Sequence, residues 1–428
     1  MTYIDASRGK LGILVGGGPA PGINGVIHSA TIEAINHGLQ VLGIYDGFKH
    51  LIEGKMVYRP LTIDDVSRIH LEGGSILRTS RANPTQSEEW LSSCVRTLIG
   101  ADIYYLVSIG GDDTAYSAYR VARHAQERMG INIRTAHVPK TIDNDLPLPA
   151  DIPTFGFETA RELGTRIVMN LMEDALTGQR WFLVVTMGRN AGHLALGIGK
   201  SSGATLTLIP EEWAGREVRL QEVTDILATA VIRRIAEGKH YGVAIVAEGI
   251  IDHMSHEDLD MLDEAERDEH GHIRLSEVNS SDILKKALRK QLRELGIDLR
   301  LISKDVGYEL RCADPIAFDI DYTRSLGEAA VTFLAEGGTN ATISIQQNQM
   351  VPIPFDQMMD PETGRTEVRQ VDVDSFTYRS AYKFMIRLKP KHAGNEMLLA
   401  RMAAQTNISL NEFKARFGYL IGIAPRPF

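Results

Sequence analysis

Short apolar runs that end abruptly at glycine alternate with longer stretches whose apolar residues recur at every third or fourth position. Leu11-Gly12-Ile13-Leu14-Val15 stops at three glycines and Ile103 to Ile109 stops at Gly110-Gly111. Trp181 to Met187 stops at Gly188, and Tyr241 to Ala247 ends just before Glu248-Gly249. Continuous apolar runs suit parallel strands covered on both faces, which have no solvated side to show. Between them, Phe157, Ala160, Leu163, Ile167, Leu171 and Ala175 share one helix face, and Ile226, Ala230, Ile232 and Ile235 lie on another. The alternation predicts an α/β fold with open, mostly parallel sheets.

Such sheets bind ligands beyond the carboxyl ends of their strands, so the glycine-rich stops are where chemistry is expected. Asp145-Leu146-Pro147-Leu148-Pro149 breaks regular structure and suggests a domain boundary near 150. The resulting division is 1–150, 151–340 with an acidic insertion at about 251–280, and a C-terminal extension over 341–428. From Asp252 to Glu269 acids crowd together, with His253, His256, His270 and His272 in or beside them. They lack the order of a calcium loop, and a solvated insertion is expected.

Composition narrows the class. The chain has 428 residues, 43% hydrophobic and 24% charged, which suits a globular protein of two to three domains. Lys+Arg number 46 against 55 Asp+Glu, and the net charge of −9 disfavours general nucleic-acid binding. Cys94 and Cys312 are the only cysteines, too few for a disulfide framework and consistent with a reducing compartment. No apolar run reaches the ~18 residues of a membrane span. A cytoplasmic protein without membrane or nucleic-acid partners is the expectation.

Gly16 to Asn24 follows the first strand and precedes a helix, as a phosphate-binding loop does, but fits neither the Walker A nor the dinucleotide fingerprint. Gly110-Gly111-Asp112-Asp113-Thr114 places two carboxylates at a strand end, suited either to Mg²⁺ or to the first turn of a helix. Pro139-Lys140-Thr141-Ile142-Asp143-Asn144-Asp145 joins a cation, a hydroxyl and two carboxylates. Phosphoryl transfer to an alcohol needs positive charge on the moving group and a carboxylate to accept the hydroxyl proton. Met187-Gly188-Arg189 and Glu248 end two further strands, and Arg78, Arg81, Tyr308 and Arg311 add loop residues of similar character.

Together these segments resemble the phosphofructokinase family, from about residue 10 to about 335, and within it the pyrophosphate-dependent branch. The resemblance rests on Gly17 to Asn24, Gly110 to Asp112, Thr141 to Asp145 and Met187 to Arg189. It implies two Rossmann-like open sheets with helices on both faces. It also implies phosphoryl transfer from pyrophosphate to the 1-hydroxyl of fructose 6-phosphate with Mg²⁺, within glycolysis. Asp143 would be the general base, among catalytic residues Lys140, Thr141, Asp145, Asp113 and Arg81. Asp112 would hold the metal, and Gly18 and Lys140 the diphosphate. Thr141, Ile142, Asp143, Met187, Gly188, Arg189, Glu248, Tyr308 and Arg311 would surround the sugar phosphate. Arg180 matches an arginine that reaches a neighbour's site, which implies a homo-oligomer, dimer or tetramer, with shared sites.

Several positions depart from the ATP-dependent members. Pro19 replaces an aspartate, and Asp113 and Lys140 replace glycines. His28 and Ile32 occupy positions of a basic effector site, an expected arginine falls near Ile302 with Arg300 and Lys304 as alternatives, and the chain beyond about 340 has no counterpart. An ATP-dependent kinase and a non-catalytic regulatory subunit of the same fold are the alternatives.

Overall fold

The structure is a computed structural model that describes residues 9–149, 151–255, 258, 280–358 and 366–423. Beyond Asp252, His253 and Asp258, the acidic segment and its histidines lie outside the described residues. Eleven strands occur among those described: β1 (Lys10–Val15), β2 (Val41–Ile44), β3 (Tyr58–Leu61), β4 (Ile103–Gly110), β5 (Arg134–Pro139), β6 (Trp181–Thr186), β7 (Leu206–Leu208), β8 (Gly242–Ala247), β9 (Leu301–Val306), β10 (Ala341–Gln346) and β11 (Gln349–Pro354).

They build a seven-stranded sheet, β11-β10-β5-β4-β1-β2-β3, and a four-stranded sheet, β7-β8-β6-β9. The larger sheet is parallel through its centre, with antiparallel β3 and β11 at the two edges. The smaller is parallel throughout. This is the α/β architecture expected from the apolar runs.

Strand periodicity sorts the core of the larger sheet. Leu11, Ile13 and Val15 join Val107, Ile109 and Ala136 on one face, under the helices Ile23–Asn36 and Ala317–Ala335. Leu14, Ile44 and Leu106 face the other way, under Glu88–Gly100 and Asp112–Met129. Each fully buried Leu, Ile or Val contributes roughly 1.5–3 kcal/mol on burial. In the smaller sheet β6 and β8 are buried along their whole length, and the helix Ser280–Glu294 turns Leu284, Leu288 and Leu292 inward.

The chain divides into two units, one formed by Met1–Ala160 with Tyr308–Arg369, the other by Arg161–Gly307 with Gln370–Phe428. The linear division at 150 and 340 gives way to this interleaved one. Asp145–Pro149 is not a linker, because it lies on a loop whose ends, Lys140 and Phe155, pair with each other. The chain then returns to the first unit, where the helix Ala317–Ala335 covers Ile23–Asn36 and β10 adds to β5 at Ala136 and His137. The 341–428 extension is therefore split between the units. No helix among the described residues is long and apolar enough to cross a membrane.

Candidate active site

In the first unit the expected phosphate chemistry gathers at the carboxyl ends of β1, β4 and β5. The glycine loop after β1 is stitched to the segment before Arg81: Gly17 N donates to Ser80 O at 2.9 Å, and Thr79 Oγ1 donates to Gly17 O at 2.6 Å. Gly17 has φ +81°, a left-handed conformation that side chains with a Cβ resist. Asp112 and Asp113 open the helix Asp112–Met129, where its positive end favours carboxylates, and Asp113 N donates to Asp112 Oδ1 at 2.9 Å. Of the two readings of this pair, the structure shows the first-turn one. Water reaches Asp112, yet burial of its carboxyl and then repulsion by Asp113 push its pKa above the usual aspartate range.

Lys140 follows β5 directly, its backbone N donating to Gly110 O at 2.7 Å. Its side chain is buried and its ammonium donates to Gly18 O. Desolvation first, then the neighbouring Arg311 and Arg81 guanidinium groups, lower its pKa to about 8, against the pull of Asp143 and Asp145. On the following loop Asp143 N donates to Thr141 Oγ1 at 3.0 Å, while Ile142 is buried beneath. Asp145 is raised by burial and by Asp112, so two carboxylates from different strand ends feel each other's charge.

Arg311, expected with the sugar-phosphate residues, lies in this unit: its Cζ is 3.5 Å from where a Gly18 Cβ would sit. Its guanidinium also stacks over the ring of the exposed Tyr308 at 5.0 Å. Arg78 instead faces Asp46 at 3.5 Å and the Tyr45 ring at 5.2 Å.

The second unit carries the other candidates. Met187 follows β6, its N donating to Val306 O at 3.1 Å. Gly188 has φ +129° and accepts from Gly249 N at 3.1 Å, which ties the ends of β6 and β8 together. Arg189 approaches Glu248 at 3.8 Å, and its charge also opposes the burial that raises Asp252. Arg180 turns toward Asp174 of its own chain, Nε to Oδ1 3.0 Å.

Two residues that the sequence pattern did not single out organise these loops. Glu211 Oε1 accepts from Gly192 N at 2.8 Å and from Val371 N at 2.9 Å, which fixes the end of the Met187–Gly192 turn. Arg369 approaches the loop that carries Asp143 and Asp145. Neither has a local signal, since each works through backbone groups distant in sequence.

The phosphofructokinase family profile matches residues 10–334. Over 95% of its length the chain is 52% identical to the pyrophosphate–fructose 6-phosphate 1-phosphotransferase of Thermotoga maritima, covering 98% of that protein. It is 48% identical to the enzyme of the same name from Naegleria fowleri, over 96% of this chain and 95% of that one. The crystal structure of the pyrophosphate-dependent phosphofructokinase of Marinobacter aquaeolei shares the fold, with a TM-score of 0.67 at 18% identity over 88% of this chain and 92% of that one. With a profile spanning most of the sequence and motifs falling at successive strand ends, the chain belongs to the phosphofructokinase family.

Proposed function

We propose that this chain transfers a phosphoryl group from pyrophosphate to the 1-hydroxyl of fructose 6-phosphate, giving phosphate and fructose 1,6-bisphosphate, reversibly, as a step of glycolysis or gluconeogenesis. The observation that carries the donor choice is the buried Lys140 ammonium against the Gly18 carbonyl, with Asp113 at the neighbouring strand end. A point charge held beside the glycine loop suits a short, highly charged donor. The Asp113 carboxylate disfavours the longer chain of phosphates in ATP, so one residue attracts the right donor while another repels the wrong one.

Asp143 takes the proton of the attacking hydroxyl, and Arg81 and Lys140 stabilise the charge on the group in transit. Thr141 holds the backbone of Asp143. Asp112, at the start of the helix after β4, and Asp145, on the loop after β5, are near enough to repel each other, and together they would hold a hard divalent cation. Mg²⁺ held by them would supply neutralisation of phosphate charge. In the second unit, Met187, Gly188, Arg189 and Glu248 take the sugar phosphate. The retention of Asp112, Asp143 and Asp145 disfavours a non-catalytic role.

Purified protein with fructose 6-phosphate and Mg²⁺, given pyrophosphate or ATP in parallel, should form fructose 1,6-bisphosphate with pyrophosphate and little or none with ATP. A preference for ATP refutes the donor assignment. In a homo-oligomer with shared sites, Arg180→Ala chains mixed with Asp143→Ser chains under subunit exchange regain activity. Absence of complementation despite proven exchange removes the shared site.

A further inference from the structure

We propose that Arg369 is a positioning residue for the phosphoryl-transfer step, holding the loop that carries Asp143 and Asp145 in its working shape. The proposal rests on the catalytic reading above. The loop leaves the sheet at Lys140 and returns to bridge its own start at Phe155. Its base is self-tied: Thr154 Oγ1 donates to Thr141 O at 2.8 Å and Thr154 N to Asn144 Oδ1 at 3.0 Å. Its outer limb contains Pro147 and Pro149, which have no amide hydrogen to offer the surrounding carbonyls.

Arg369 supplies further donors to this loop. Its Nε donates to Asn144 O at 3.0 Å, and its Nη2 to Asn144 Oδ1. Its Nη1 is shared among Leu148 O at 3.3 Å, Pro149 O at 3.0 Å and Ile152 O at 2.7 Å. Its own backbone N donates to Asp145 O at 2.8 Å. Every one of these acceptors belongs to the catalytic loop or its return limb.

The grip falls on Asn144, which separates the two carboxylates. Asn144 has φ +57°, a left-handed conformation that asparagine tolerates better than most residues. Fixing its carbonyl and its side-chain oxygen together sets the direction in which Asp143 and Asp145 leave the backbone. A guanidinium offers five N–H donors in a fixed plane, whereas an ammonium offers three around a point. Arg369 lies beyond the stretch matched by the family profile, so a segment without an expected role reaches the reaction through this loop.

The test compares Arg369→Met and Arg369→Lys with the unaltered chain. Steady-state kinetics with pyrophosphate and fructose 6-phosphate are read per folded chain, and hydrogen exchange is read over residues 141–149 and 151–155. Both variants should lose about 10–10²-fold in kcat while each KM stays within about threefold, because small misplacements of reacting groups act on turnover. The loop amides should exchange faster in both, and lysine should not restore turnover. A purely structural role predicts a lower folded fraction with kcat per folded chain unchanged. A folded Arg369→Met with kcat within about twofold of normal, or full rescue by lysine, overturns the proposal. If the methionine variant does not fold, the lysine variant decides by the same kinetic and exchange criteria. If the unaltered chain has no pyrophosphate activity, the functional reading fails separately. Hydrogen exchange then decides alone, and unchanged loop protection in the variants overturns the clamp.

Discussion

Lys140 gives the proposed donor site a measurable pH dependence. Its side chain is 5% exposed, and burial followed by the Arg311 charge brings the ammonium down from 10.5 to about 8. That displacement corresponds to about 3 kcal/mol of lost preference for the charged form. Because the pKa is depressed, the cation is present below about 8 and disappears as pH rises through that value. Roughly nine in ten free chains carry it at pH 7 and roughly one in ten at pH 9. With the magnesium–pyrophosphate species held constant and fructose 6-phosphate saturating, kcat/KM for pyrophosphate should therefore fall about tenfold between these pH values. Bound pyrophosphate holds the proton on, so the alkaline limb of kcat should lie at higher pH than that of kcat/KM. Lys140→Met should abolish the limb and lower kcat/KM at pH 7 by about 10–10²-fold, as expected for losing a hydrogen bond to a charged group. A flat kcat/KM profile across this range, or a limb that survives in Lys140→Met, refutes the reasoning.

Further outcomes follow from neighbouring residues. Asp143→Ser should reduce kcat by about 10²–10⁴-fold, with the KM for fructose 6-phosphate nearly unchanged, and near-normal turnover in initial-rate assays removes Asp143 as the base. Asp113→Gly should open weak ATP-dependent formation of fructose 1,6-bisphosphate, and Lys140→Gly should mainly damage use of pyrophosphate. The donor ratio of the double variant should move further toward ATP than either single one, and an unchanged ratio counts against Asp113 as a selector. Cys94 is buried and its thiol is pushed up to about 12, whereas Cys312 is exposed. A thiol reagent at neutral pH should therefore label Cys312 in the native chain and reach Cys94 only after unfolding, as read by peptide mass mapping.

The fold was legible where burial is two-sided. Strands such as β4 and β6 have no solvated face, so each reads as an unbroken apolar run that stops where the backbone turns into a loop. The polar residues at those stops were legible for the same reason, because Asp112, Lys140 and Arg189 interrupt apolar sequence. Long-range closure was not. β10 joins β5 through contacts about two hundred residues apart, and nothing in the local pattern of 341–346 names its partner. Arg369 was invisible for a related reason: it serves backbone carbonyls, which every residue possesses and no sequence displays. The side toward which a charge turns was equally hidden, as Arg311 beside Gly18 and Arg180 beside Asp174 illustrate.

The interleaving of the two units has a consequence during synthesis. When the ribosome has released the first 160 residues, the outer edge of β5 has no neighbouring strand and Ile23–Asn36 lacks the helix that covers it. The covering segment, Tyr308–Arg369, emerges only after the whole intervening stretch has been made. At ~5–20 residues per second that leaves an apolar sheet edge unfinished for roughly ten to forty seconds. The nascent first unit is thus a natural client for a chaperone that shields strand edges. In ribosome-arrested chains, its resistance to protease should appear only once residues up to Arg369 have cleared the exit tunnel, and full resistance at the 160-residue stage would contradict this order of assembly.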